Sequence, residues 1–141
     1  MRAFNRVNLL AVCVVALLIA VGCGKEQKPK ASVSFAEPKD GAEINGPVKV
    51  VMVVEGMKVQ PAGEVVEGTG HHHILINQDF FPPGQVIPTD DTHRHFGKGD
   101  TEAVLDLPPG DYKLTLQFAD GLHRSYGKEL SATINIKVAS K

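Results

Sequence analysis

The stretch Tyr112-Lys113-Leu114-Thr115-Leu116-Gln117-Phe118 alternates apolar and polar side chains without a break. Successive side chains of a strand point to opposite faces, so a period of two sorts such a stretch into a dry face and a wet one. Tyr112, Leu114, Leu116 and Phe118 are expected inside, and Lys113, Thr115 and Gln117 in water. Ser32 to Ala36 and Thr133 to Val138 show the same alternation, and Ala103 to Leu107 reads as a further strand. Val48 to Val54 is a β-branched run that suits a strand partly covered on both faces. Ile74-Leu75-Ile76 continues a strand that opens in a run of histidines. Pro38 to Gly41, Pro108 to Asp111 and Asp120-Gly121 read as turns. No segment carries a sustained helical period with caps. The expectation is an all-β chain folded as an antiparallel sandwich. Its predicted core is Phe35, Val50, Ile74, Ile76, Leu105, Tyr112, Leu114, Leu116, Phe118, Ile134 and Ile136. Two long connections remain, Gly56 to Gly70 and Asp79 to Thr92, and long loops in a compact domain are often functional.

The passage from Leu107 through Pro108-Pro109-Gly110 to Leu114 resembles the start of a strand in immunoglobulin-like and fibronectin-like domains. Paired cysteines and a core Trp are missing, so the resemblance implies an immunoglobulin-like sandwich rather than an antibody-type domain.

The N-terminal segment has a different character. Arg2 and Arg6 precede an apolar run from Leu9 to Val21, which is shorter than the roughly 20 residues a membrane-spanning helix needs. Ile19-Ala20-Val21-Gly22-Cys23 resembles a bacterial lipobox. That resemblance implies a signal peptide over 1–22, acylation of Cys23, a polar tether over 23–31 and a folded domain over 32–141. The expected address is export, with a lipid anchor in a membrane and the domain facing the periplasm or the cell exterior. Gly24 after the Cys resembles sorting to the outer membrane in a Gram-negative host. Cys13 lies in the segment to be removed, so neither disulfides nor thiolate ligands are expected in the domain. The chain has 15 basic and 16 acidic residues, no basic stripe and no Trp, which argues against a nucleic-acid partner.

Six histidines supply the chemistry. His71-His72-His73 opens a strand, His93-Arg94-His95-Phe96 closes a long loop, and His123 follows the Asp120-Gly121 turn. Alternation puts His71 and His73 on one face and His72 on the other, and it likewise aligns His93 with His95. Side-by-side pairing of the two segments would bring four imidazoles together, a donor set suited to copper or zinc. His71, His73, His93 and His95 are the candidate ligands, with His123 and Met57 as secondary ones; a thioether would favour copper. Bracing of loops through Asp90, Asp91 and Asp100 is the competing role for these histidines. Gly97-Lys98-Gly99-Asp100 lacks the ending of a phosphate loop, and no nucleophile motif is present. No carboxylate stands at a motif-like spacing from the histidines, so binding is favoured over catalysis, with a metal-dependent enzyme as the alternative.

The chain resembles the bacterial family named as domain of unknown function 4399. Gly56-Met57, Pro61-Ala62-Gly63 and Gly68-Thr69-Gly70-His71-His72-His73-Ile74-Leu75-Ile76 carry the resemblance. It continues in Ile87-Pro88, in His93-Arg94-His95-Phe96-Gly97-Lys98-Gly99 and in Thr101-Glu102-Ala103. Leu107-Pro108-Pro109-Gly110, Asp120 and His123 complete it, and Asp100 stands where relatives often have Gln. The resemblance implies that the histidine clusters belong to the domain's pattern; it implies no activity. The expectation for the whole chain is a cell-envelope lipoprotein with a histidine-rich metal site. A structural or protein-interaction module of the envelope is the alternative.

Overall fold

The computed structural model describes residues 30–140. The expected signal segment, Cys23 and most of the tether lie outside the described residues. The strands are β1 (Ser32–Glu37), β2 (Ala42–Ile44), β3 (Val48–Glu55), β4 (Lys58–Val59), β5 (Thr69–Ile76), β6 (His93–His95), β7 (Glu102–Leu105), β8 (Gly110–Ala119) and β9 (Ser131–Val138). A single 3₁₀ turn, Lys128–Leu130, joins β8 to β9 among the described residues. Strands β1, β3 and β7 form a three-stranded sheet in the order β1-β3-β7. The second sheet runs β2-β9-β8-β5-β4, with β6 also on β5. The protein is therefore all-β, with its sheets in a sandwich. Pairing is antiparallel except at two short places, where β2 lies parallel to β9 and β4 parallel to β5. Among the described residues, no helix is long and apolar enough to cross a membrane.

The main core lies between the sheets. Val50 and Met52 of β3 meet Ile74 and Ile76 of β5, Leu114, Leu116 and Phe118 of β8, and Ile134 and Ile136 of β9. Ten of the eleven residues expected inside are buried, and Tyr112 is half-buried against them. Its ring packs while its hydroxyl donates to the carbonyl of Pro108 at 2.7 Å. This is the tyrosine corner of β-sandwiches, and the Pro-Pro-Gly turn builds it.

The far face of the larger sheet departs from expectation. Thr115 and Gln117, predicted in water, are completely buried. The connection after β5 and the one after β8 fold over this face and take their hydrogen bonds from it. Gln117 Nε2 donates to the carbonyls of Gly127 at 3.0 Å and Leu130 at 3.2 Å, while its Oε1 accepts from the Phe81 amide at 3.1 Å. Thr115 donates to the Gln78 carbonyl at 2.9 Å. Leu75, Ile87 and Ala119, with Phe81, form a second small apolar cluster beneath the loops. Polar side chains face away from the main core as alternation requires, but what covers them is backbone rather than water. Only Lys113 stays partly exposed, bonding Asp79 through Nζ at 2.7 Å.

Candidate metal centre

Strand β5 is buried along its whole length, with the main core on one face, covering loops on the other and neighbouring strands at both edges. One edge pairs with β8, the other with β4 at Thr69–Gly70 and with β6 at His73–Leu75. His73 stands directly opposite His95 in the β5–β6 register. His71 lies two residues earlier on the same face. His123 comes from the turn that follows β8. The result is four imidazoles packed ring to ring, every pair of centroids between 4.6 and 5.9 Å apart.

Local sequence explains how these rings reach one another. A Cβ at Gly70 would collide with the Ala119 carbonyl and the Phe118 ring, so only glycine lets β5 approach β8 there. A Cβ at Gly97 would collide with the His95 imidazole, which folds back over the Gly97 backbone. His123 holds a left-handed conformation, φ 65°, which is uncommon for a non-glycine residue. Asp120 fixes that turn. Its carboxylate accepts from the amides of Leu122 at 2.9 Å and Arg124 at 3.0 Å, and from Arg124 Nε at 2.7 Å. Burial alone would raise the Asp120 carboxyl, but the hydrogen bonds from Arg124 and Leu122 outweigh it and hold the group below its ordinary range. The segment from Gln60 to Gly63 then staples three site-bearing pieces together. Gln60 donates to Gly70 at 2.7 Å, Ala62 to Gly97 at 2.8 Å and Gly63 to Gly121 at 2.8 Å, all through backbone amides.

His71 and His73 are fully buried, and His95 and His123 are half-buried. His71 Nε2 and His73 Nε2 share one hydrogen bond of 3.0 Å. Among the described residues, His71 Nδ1, His73 Nδ1, His95 Nε2 and His123 Nε2 are buried without a partner. A buried polar atom left unpaired costs about 1–3 kcal/mol, so four in one place point to a missing partner. Burial, reinforced by the neighbouring imidazoles of His95 and His123, lowers the pKa of His71 to about 4. Burial and then the rings of His71 and His95 lower His73 to about 2. His95 is also lowered, by burial and then by His123. His71, His73 and His95 are consequently neutral near pH 7, the protonation state in which imidazoles bind metals.

The structure brings together His71, His73, His95 and His123. Ligand nitrogens of His71, His95 and His123 all lie within 4.8 Å of one another. Two nitrogens bound tetrahedrally at zinc distances would be about 3.3 Å apart, close to the 3.0 Å between His71 and His73. Two sequence candidates lie elsewhere. His93 shares the outer face but sits opposite Leu75, where its Nδ1 meets Asp90 Oδ1 at 2.8 Å and its ring meets Phe81. Hydrogen bonds from His93 and Thr92 hold the Asp90 carboxyl well below the usual carboxylate range. Met57 packs half-buried against the main core. His72 points away from the cluster, as alternation demands, into the main core against Phe118. Asp120, Gly97 and the Gln60–Gly63 staple escaped sequence reasoning as parts of the site. Pro61-Ala62-Gly63, Gly97 and Asp120 stand among the residues that carry the family resemblance, but nothing in the sequence ties them to the histidines.

Residues 50–139 match the family described as "Domain of unknown function (DUF4399)". The chain belongs to the DUF4399 family. All six histidines of this DUF4399 protein fall within the matched span, so the cluster is part of the family domain. No curated protein matches the chain. Among solved structures, the endo-beta-1,4-mannanase from Thermotoga petrophila is similar over 82% of this chain and 21% of its own, with 20% identity and a TM-score of 0.48. The DUF4399 protein thus spans about a fifth of that enzyme's length, and the likeness says nothing of activity.

Proposed function

We propose that this DUF4399 protein is a non-enzymatic, transition-metal-binding lipoprotein of the bacterial cell envelope. The ion is copper or zinc, held by His71, His95 and His123 with His73 completing the shell. The observation that carries this reading is the set of four packed imidazoles whose buried ring nitrogens lack partners. An all-imidazole donor set suits Cu(II) and Zn(II), and with Met57 in the core the sulfur preference for the cuprous ion falls away. The ion would replace the hydrogen bond shared by His71 and His73. Four imidazoles fill a tetrahedral shell, whereas catalytic zinc keeps a position open, so the donor count favours storage, sensing or transfer over catalysis. Burial lowers the His71 pKa to about 4, so proton competition at this ring should set in below the ordinary imidazole range near pH 6.5.

The envelope address rests on the N-terminal sequence. Arg2, Arg6, the Leu9–Val21 run and the lipobox-like ending at Cys23 support export and acylation. Changing Cys23 to Ser should release the protein from membranes or leave an unprocessed precursor; unaltered attachment and mass would refute acylation. For His93 the bracing role is the better reading, since Asp90 and Thr92 engage its ring nitrogen. Metal binding is tested by isothermal titration of Cu(II) and Zn(II) into protein purified without a histidine tag. Saturable binding that is lost in a His71→Ala, His95→Ala double variant is expected.

A further inference from the structure

We propose that the end of the sandwich from which the N-terminal tether departs docks on the surface of the lipid bilayer. This rests on the membrane attachment proposed above. Strand registers define that end. Ser32 pairs with Glu55, Lys58 with Thr69, and His71 with Ala119, and Ser131 pairs with Gln117 near the close of β8. The first described residue, Lys30, pairs with Glu129 of the 3₁₀ turn at the same end.

Exposed aliphatic side chains gather there. Val65 is 50% exposed, Val66 40% and Leu122 52%. The loops that bear them touch, because Gly121 packs on the Glu64 backbone and accepts the Gly63 amide. Val86, 57% exposed, bridges to Arg124 beside them. A groove between Gly56, Met57 and Val66 opens at this end as well. Large apolar side chains grouped on a surface mark an interaction site. The length of chain outside the structure selects the occupant. Cys23 is nine residues from Ser32, a reach of roughly 30 Å at full extension, so an anchor at Cys23 keeps this end beside the headgroups. Exposed charges around the patch are mixed, with Lys58 and Lys128 against Glu64 and Glu67. Docking is therefore driven by apolar contact, not by lipid charge, and proceeds on a zwitterionic bilayer.

The chain contains no Trp, so a single introduced indole reports on its own position. Val66→Trp, Leu122→Trp and Val104→Trp are made in the full chain, processed in a bacterial envelope and reconstituted into phosphatidylcholine vesicles. Val104 is 65% exposed on β7 near the opposite end and serves as the control. The expected result is flotation of all three with the vesicles. Bromine-labelled phosphatidylcholine then quenches the first two and leaves the control bright. Flotation with no quenching at Val66 or Leu122 overturns the docking and leaves the face to a protein partner. Equal quenching at all three positions overturns it too. Failure to float refutes the attachment itself, which separates the two readings.

Discussion

The two faces of the larger sheet are built by the same strands and solved in opposite ways. Towards the three-stranded sheet, Ile74, Ile76, Leu114, Leu116 and Phe118 fill a conventional apolar core. On the other side, His71, His73, Thr115 and Gln117 are just as buried, but under irregular chain. The first face is held by packing. The second is held by specific hydrogen bonds from polar side chains to loop backbone, and its histidines are the polar groups that those loops leave unpaired. The loop-covered face thus gathers four imidazoles side by side, whereas the core face holds the single ring of His72 against Phe118.

The comparison can be broken at each face. Leu116→Ala should cause the largest loss, about 2–5 kcal/mol of unfolding free energy in a denaturant titration, because a fully buried leucine leaves a cavity. A loss near zero would mean that the core face is wrongly placed. Acid should weaken the ion-free protein next. Unfolded histidines take up protons near pH 6.5, whereas burial delays His71 and His72 to about pH 4. Between those values the unfolded chain binds more protons, so stability falls as pH falls, by about 1.4 kcal/mol per pH unit for each histidine. A melting temperature flat from pH 7 to 4.5 would contradict the burial of these rings.

Gln117→Leu should cost about 1–3 kcal/mol, since it strands the loop groups that now bond the amide. If Gln117→Leu proves neutral, the loops do not depend on the side chain that faces them. His72→Leu should have the smallest effect. Both ring nitrogens of His72 are buried without a partner among the described residues, so an apolar replacement is near neutral or stabilising. It should also leave metal affinity unchanged, because the ring faces the main core. Loss of binding in that variant would defeat the face assignment.

The core face was legible because apolar alternation in β8 and β9 has a single physical meaning once a second sheet is present. Strand β5 was legible in the same way, including the opposed directions of His71 and His72. The outer face was not, since a polar residue at every second position is compatible with water or with a covering loop. Nothing in Thr115 or Gln117 alone distinguishes the two. The pairing of His73 with His95 followed from two His-x-His patterns on neighbouring strands. His93 shares that pattern, but Asp90 three residues before it supplies a nearer partner. His123 joined the cluster through a turn whose geometry depends on Asp120, and turn geometry is only weakly encoded by spacing.

The most direct measurement is the metal content and thermal shift of the protein purified without a histidine tag, beside its His71→Ala, His95→Ala double variant. The cluster predicts one copper or zinc ion per wild-type chain and a melting temperature that rises when the stripped protein is resupplied with that ion. It predicts neither in the double variant, with the ion-free fold retained. Wild-type protein that carries no metal and shows no ion-specific rise, while the double variant melts earlier with or without ions, would contradict the metal centre and leave the histidines as structural braces.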